Sequence, residues 1–346
     1  MVEPYTVAVP AGIGDSLWAV TKLNALRAVL DNEGHEGRPI EMVIAGGGPH
    51  RSADFLNAFQ MIDSVRYDEY YKVNWGVVKA KREYGYINYK PSGFGYEGFD
   101  LTLIPNCSLE CGIRLEDWFT ELDTDFTIGK QWVFERDAWD KAKERMEGRR
   151  DYVVFYLGPE LGNKRNGHNR DTLWSMQDWI DLANHFVDTY DVDIVMVGAP
   201  YDRSYTTLFM RDIMDTPLRD RVINIVGQTS IQDLYACCVQ SKCVISYQAG
   251  VGIFSVYLGV PTVLWWRPFG NSITPNGMIS FHEDMASAWA PPWSLENGRY
   301  LPQIYTKSTP ESIAATIKER SWFDLRREIE FTDTMTLTDI GEPPCE

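Results

Sequence analysis

The sequence predicts an α/β protein of two doubly wound domains facing each other across a cleft, and three observations lead there. The chain has 346 residues, and at roughly 100 to 200 residues per domain that length suits two units, each with its own core. Its apolar runs are short and β-branched, and segments with helical spacing separate them. Glycine-bearing turns follow several of these runs, where an open parallel sheet takes its ligands.

The chain opens as strand, glycine loop, helix. Thr6-Val7-Ala8-Val9 is closed by Pro10-Ala11-Gly12-Ile13-Gly14, and Leu17, Val20, Leu23, Leu26 and Leu30 follow at spacings of three and four. Glu41-Met42-Val43-Ile44-Ala45 is a second strand, ending in Gly46-Gly47-Gly48, so a βαβ unit with a right-handed crossover begins the protein. Phe99 to Pro105 is a later strand of the same sheet. Tyr67 to Tyr96, rich in Tyr, Lys and Gly with weak periodicity, predicts irregular structure. Trp132 to Arg150 reads as a charged helix ending in Glu147-Gly148-Arg149-Arg150, which places the domain boundary near residue 150.

Alternation is regular beyond that point. Strands are expected at Tyr152 to Leu157, Val192 to Val197, Val222 to Val226, Cys243 to Tyr247 and Thr262 to Trp266. Helices fall between them at Met176 to Thr189, Tyr205 to Met214, Ile231 to Val239 and Val251 to Leu258. Thr229 or Ser230 is the N-cap of the third, with Gln232 and Asp233 placed to complete a capping box. Five buried strands interleaved with helices mean a parallel sheet. Pro310 to Arg327, helical at Ile313, Ile317 and Phe323, adds no strand and is placed to pack back on the first domain. The expected division is 1–150, 151–310, and a helix and tail at 311–346.

Hydrophobic residues at 44% and charged residues at 24% are ordinary globular values. The amino terminus lacks the pattern of a signal peptide, and no apolar run approaches the ~20 residues that span a bilayer, so a cytoplasmic protein is expected. A formal charge of −16 disfavours nucleic acid as a partner, because phosphate contacts dominate that affinity. A local basic segment, Lys164 to Arg170, suits a compact anion such as a diphosphate, or else is a solvated loop. Of six cysteines, Cys237, Cys238 and Cys243 lie in an apolar stretch and are read as buried thiols. Cys107 and Cys111 lack a second ligand pair, no zinc, nucleophilic-serine or Walker-type signature occurs, and the five histidines are scattered, so no metal and no cofactor are expected.

Chemistry is expected at three loops that follow strands. In Pro10-Ala11-Gly12-Ile13-Gly14-Asp15, Gly12 and Gly14 allow close backbone approach and Asp15 stands at a helix start, where it is either a cleft-facing carboxylate or the helix N-cap. No third glycine completes a dinucleotide fingerprint. In Ser246-Tyr247-Gln248-Ala249-Gly250-Val251-Gly252, the glycines let amide groups converge on a phosphate, or shape a tight strand-to-helix turn. In Val226-Gly227-Gln228-Thr229-Ser230, hydroxyls and a helix start can meet phosphate or ribose, or cap the helix.

The order of these motifs resembles the heptosyltransferase-like glycosyltransferases, glycosyltransferase family 9. The resemblance rests on Gly12 to Trp18, Trp174 to Trp179, Val197-Gly198-Ala199-Pro200, Ile225 to Leu234, Val244 to Gly252 and Leu258 to Leu264, most of the second domain and the entrance of the first. It implies a GT-B fold of two Rossmann-like domains. It implies an acceptor-binding first domain, a second that binds a nucleotide-sugar, and transfer to a carbohydrate or other hydroxyl acceptor without a metal. Asp15 would then be the general base, and Lys164 would offset charge on the leaving diphosphate. Gly158, Gln228, Thr229, Ser230, Gln248, Gly250, Val251 and Gly252 would hold the donor, with Gly12 and Gly14 on the acceptor side. Where the family has an aspartate, a small hydroxyl residue, glycine and then a histidine, this chain has Gln248-Ala249-Gly250 and no histidine at Ile253 or Phe254, which implies altered donor contacts. Three other readings share the architecture: a nucleotide-sugar epimerase, a viral transferase acting on DNA bases, and a catalytically silent binding protein. Lys72, Lys79, Lys81, Arg82 and Lys90 beside tyrosines favour the second of these, and the net charge opposes it.

Overall fold

The computed structural model describes residues 3–21, 23–32, 34–45, 51–68, 98–100, 132–158, 174–266, 290–304 and 308–325. They form two compact units, the first drawn mainly from the chain up to Val133 and the second mainly from Phe134 onward.

The first unit holds β1 (Tyr5–Pro10), α1 (Ile13–Val20), α2 (Leu23–Asn32), β2 (Ile40–Ala45), α3 (Arg51–Asn57), β3 (Ser64–Asp68) and β4 (Gly98–Asp100). The strands are parallel in the order β3-β2-β1-β4, with Val7 beside Met42 on one side and Phe99 on the other. Two details depart from the sequence reading. The apolar spacing from Leu17 to Leu30 belongs to two helices that part at Thr21, the C-cap of α1. An unexpected strand, β3, lies at the sheet edge, where its residues are exposed or half-buried and give no apolar run. Of the strand expected at Phe99 to Pro105 only the start is described, and Tyr96 and the segment before it back to Glu69 lie outside the described residues.

The second unit begins with α4 (Arg136–Arg145), followed by β5 (Tyr152–Tyr156), α5 (Met176–Tyr190), β6 (Asp193–Met196), α6 (Arg203–Asp212), β7 (Val222–Asn224), α7 (Ile231–Gln240), β8 (Cys243–Tyr247), α8 (Gly250–Tyr257), β9 (Thr262–Trp266), α9 (Pro292–Glu296), β10 (Tyr300–Ile304) and α10 (Pro310–Glu319). Its six parallel strands run β10-β9-β8-β5-β6-β7. The sixth, β10, was not expected. It pairs with β9 alone at the sheet edge, where Pro302 is tolerated.

Two placements near the boundaries also differ from expectation. The helix before residue 150 packs on α7 and so lies in the second unit, because Ala138, Trp139 and Ala142 are buried there. The carboxyl-terminal helix α10 belongs to the second unit, where it packs on α5 with Ile313, Ala314 and Ile317 in that unit's core.

Aromatic residues fill that core. Trp265 lies 4.5 Å from Trp174 and 5.2 Å from Trp179 between ring centroids, and Trp179 Nε1 donates to the Tyr247 hydroxyl at 3.2 Å. Trp174 and Trp265 donate to the carbonyl and hydroxyl of Ser308, each at 2.9 Å. Indole N–H groups buried this deeply need such partners. The cluster fixes the ends of β8 and β9, and the turn from Gln248 to Gly252 departs from the end of β8.

Candidate functional site

Chain order in the second sheet reverses between β5 and β8, which leave in opposite directions. A crevice beyond the carboxyl ends of two such strands is where doubly wound sheets bind ligands. Gly158 follows β5 with a φ of +60°, and a Cβ there would stand 3.0 Å from Tyr156 Cε1 and 3.3 Å from Tyr247 Cδ2. A glycine at this point keeps the backbone close to the end of β8.

After β8, Ala249 is extended and occupies the N-cap of α8 with no side-chain cap. The first turn closes with Ile253 N–H on the Ala249 carbonyl at 3.0 Å, so the amides of Gly250, Val251 and Gly252 are those a helix leaves without intrahelical acceptors. Tyr235 donates its hydroxyl to the Gly250 carbonyl at 3.1 Å and steadies this turn. Gln248 anchors its backbone N–H on Trp265 at 2.9 Å, while its side-chain Oε1 is buried with no hydrogen-bond partner. An unmatched buried acceptor beside uncapped donors is an arrangement that a polar ligand satisfies.

Gly252 has a packing reason as well. A Cβ would meet Leu264 Cδ1 at 2.5 Å and Ser246 Oγ at 2.7 Å, so this glycine lets α8 lie directly on β8 and β9.

The loop after β7 is braced from within. Ser230, not Thr229, is the N-cap of α7, and its capping box with Asp233 has both hydrogen bonds at 3.0 Å. Gln228 turns its side-chain amide onto the Asn224 carbonyl at 3.1 Å. Gly227, with a φ of +70°, donates to the Gly198 carbonyl at 2.9 Å, which ties the loops after β6 and β7 together. In this arrangement the side chains of Gln228 and Ser230 serve the turn.

A buried carboxylate that sequence reasoning missed lies in the same region. Asp202 is 2% exposed, and its Oδ2 accepts from Ala199 N–H at 2.8 Å. Tyr156, at the end of β5, hydrogen-bonds to it, and burial followed by the Asp202 charge pushes the phenol well above its ordinary range. The visible signal was the acid three residues after Ala199 in Ala199-Pro200-Tyr201-Asp202.

In the first unit, Gly12 is the N-cap of α1 with ordinary extended angles (φ −79°), so Asp15 is not that cap. Asp15 takes the third helical position, directly beyond β1, and its side chain lies outside the described residues. Ser16, fully buried, ties the turn to the Pro10 carbonyl at 3.2 Å. Lys164, Cys107 and Cys111 lie outside the described residues. Among the described residues no group of three or more His, Cys, Asp or Glu is placed to hold a metal, and no helix is long and apolar enough to cross a membrane. Cys237, Cys238 and Cys243 are buried thiols, as expected, and burial pushes Cys237 up to about 12. An open depression of about 510 Å³ lies at the other end of β5, lined by charges of both signs including Lys143, Glu144, Arg149 and Asp151, away from these loops.

No protein-family model matches the chain, and neither does any curated protein sequence. Solved structures do match. The E. coli ADP-heptose lipopolysaccharide heptosyltransferase II superposes with a TM-score of 0.59 at 12% identity over 93% of this chain and 99% of that one. A family 9 glycosyl transferase from Veillonella parvula gives 0.56 at 13% identity, covering 94% and 99%. The E. coli heptosyltransferase WaaC with ADP gives 0.50 at 12%, covering 91% and 99%. At such identities the likeness concerns architecture, and the architecture is the GT-B fold of heptosyltransferase-like proteins, built of two Rossmann-like α/β units.

Proposed function

We propose that the protein is a glycosyltransferase that moves a sugar from a nucleotide-sugar to an acceptor hydroxyl without a metal. The observation that carries this reading is the turn from Gln248 to Gly252, where uncapped amides of α8 and a buried, unmatched glutamine oxygen share the switch point of a six-stranded parallel sheet. Helix amino termini favour phosphate through these amides and the helix dipole. The Gln248 oxygen can accept from a hydroxyl or N–H of the same ligand.

In this reading Asp15 takes the proton of the acceptor hydroxyl. The acceptor oxygen bonds to the anomeric carbon as that carbon's bond to the diphosphate oxygen breaks, and the diphosphate departs with the electron pair. Lys164 and the α8 amino terminus offset the charge that develops on it. Gly158 gives the diphosphate room beside β5.

The test combines binding and turnover. Nucleoside diphosphates and nucleotide-sugars with different bases are screened by thermal shift without added metal, a ligand at 100 times its dissociation constant stabilising by ~2.7 kcal/mol. Asp15→Asn is then assayed with the donor that binds. Loss of turnover with donor binding kept supports the assignment, and a fully active variant overturns the role of Asp15. Nucleotide binding by a wild-type protein that turns over no acceptor would favour a silent binding protein.

A further inference from the structure

The post-β7 loop is gripped by two arginines on successive carbonyls. Arg145, in the last turn of α4, donates Nη2 to the Gln228 carbonyl at 3.0 Å. Arg203, at the start of α6, lies over Gly227 and donates Nη2 to the Gly227 carbonyl at 3.4 Å. A Cβ at residue 227 would come within 3.0 Å of the Arg203 guanidinium, so the glycine admits this approach.

Arg145 is an uneconomical residue for helix packing alone. It is half-buried, no carboxylate pairs with it among the described residues, and its Nη1 is buried with no hydrogen-bond partner. A half-buried guanidinium that leaves one nitrogen buried without a partner and makes one solvent-exposed carbonyl bond gains little for the fold, and an apolar side chain of similar length would avoid the cost of the unpartnered nitrogen. Its effect on the loop is specific. A trans peptide holds its C=O and N–H on opposite sides, so drawing the Gln228 carbonyl to Arg145 turns the Thr229 amide away from α4. Arg203 does the same one peptide earlier, and the Gln228 amide accordingly meets the Ile225 carbonyl at 3.0 Å.

We infer that Arg145 and Arg203 are positioning residues that preset the Gly227-Gln228-Thr229 backbone for the nucleoside part of the donor. The inference rests on the proposed nucleotide site. The loop it concerns is bonded to the turn after β6 through Gly227 and Gly198, beside buried Asp202. Presetting acts on binding, because a loop already ordered loses less freedom when the ligand arrives.

The experiment compares wild type with Arg145→Met and Arg203→Met in three measurements. Calorimetric titration with ADP, UDP and GDP gives the nucleotide dissociation constant, thermal denaturation gives Tm, and amide hydrogen exchange follows Gln228 to Ser230. For Arg145→Met, Tm is expected to stay level or rise, exchange in the loop to accelerate, and the dissociation constant to rise about tenfold, or ~1.4 kcal/mol. In turnover with the donor concentration varied, the donor KM rises and kcat, reached at saturation, holds. A dissociation constant within twofold of wild type overturns the inference, as does a fall in Tm that accounts for the lost binding. Exposed Arg203 keeps the test available should the Arg145→Met protein fold poorly. If wild type binds no nucleotide the proposed function fails, and exchange alone then decides the clamp: faster exchange upholds it, unchanged exchange overturns it.

Discussion

Replacing Gly252 by alanine separates two roles that a glycine in a phosphate-facing turn can have. Helix α8 is buried along almost its whole length and rests on β8 and β9. The added Cβ would stand 2.5 Å from Leu264 Cδ1, 2.7 Å from Ser246 Oγ and 2.8 Å from Ser246 Cβ. Leu264 can swing its terminal methyl aside. Ser246 cannot yield, since its Cβ is fixed to a central strand and its hydroxyl donates to the Tyr247 carbonyl at 2.7 Å. Restoring ordinary carbon contact therefore requires the helix to retreat by roughly 0.7 Å. Overpacking of this kind costs about 1–3 kcal/mol, and a neighbour that cannot move puts the expected cost at ~2–3 kcal/mol. At roughly 2–4 °C per kcal/mol for a unit of this size, Tm should fall by about 4–12 °C, read by circular dichroism. A Gly252→Ala protein with unchanged Tm would refute the packing argument. Were its nucleotide binding also lost, Gly252 would be a ligand contact first and a packing residue second.

Two further outcomes follow from buried groups. Cys237, Cys238 and Cys243 all titrate above their ordinary value of 9.0 because burial disfavours the thiolate, so their folded-state pKa values are raised. Stability is then complete well below pH 9 and declines through and above it, where only the unfolded chain releases these protons; three thiols give a slope of roughly 2 kcal/mol per pH unit at pH 9, approaching roughly 4 about one unit higher. Urea unfolding at pH 8, 9.5 and 10.5 checks this, and a midpoint that does not move would contradict thiol burial. Ser308→Ala removes the acceptor of Trp265 Nε1, a fully buried donor. The cost should be about 1–3 kcal/mol for the unpaired N–H, seen as a lower urea midpoint followed by tryptophan fluorescence, and a change below ~0.5 kcal/mol would count against that bond.

The central strands of the second unit were legible because parallel strands buried on both faces read as continuous apolar runs, as Tyr152-Val153-Val154-Phe155-Tyr156 does. The edge strands β3 and β10 were not, although β7, also at an edge, was. Ser64-Val65-Arg66-Tyr67-Asp68 alternates with charge, and Tyr300-Leu301-Pro302-Gln303-Ile304 carries a proline that local reading treats as a break. At the site, Ser230 was readable as a cap because its partner Asp233 is three residues away. Asp202 was not, since its burial depends on Tyr156 and Gly198, brought to it by the sheet. The unmatched Gln248 oxygen and the Arg145 bond to Gln228 depend on long-range packing in the same way.

Helices α4, α6 and α8 all open without a side-chain cap, and the uncapped turn of α8 adjoins a buried oxygen that lacks a donor, that of Gln248. Helices α5, α7 and α10 each open with a capping box, at Ser175, Ser230 and Thr309, and so satisfy amides at their own amino termini. Serine or aspartate in place of Ala249 would stabilise α8 by a comparable ~0.5–2 kcal/mol, yet the chain has alanine there, next to a glutamine whose buried oxygen lacks a donor. Within residues 248 to 252 the fold thus keeps backbone donors and one acceptor uncommitted at the same strand end. A phosphate would satisfy the donors and leave the acceptor unmatched, whereas a hydroxyl donor alone would do the reverse. A sugar or ribose joined to a diphosphate supplies both in one molecule, so the pair of observations suits the nucleotide donor proposed above better than a simple anion.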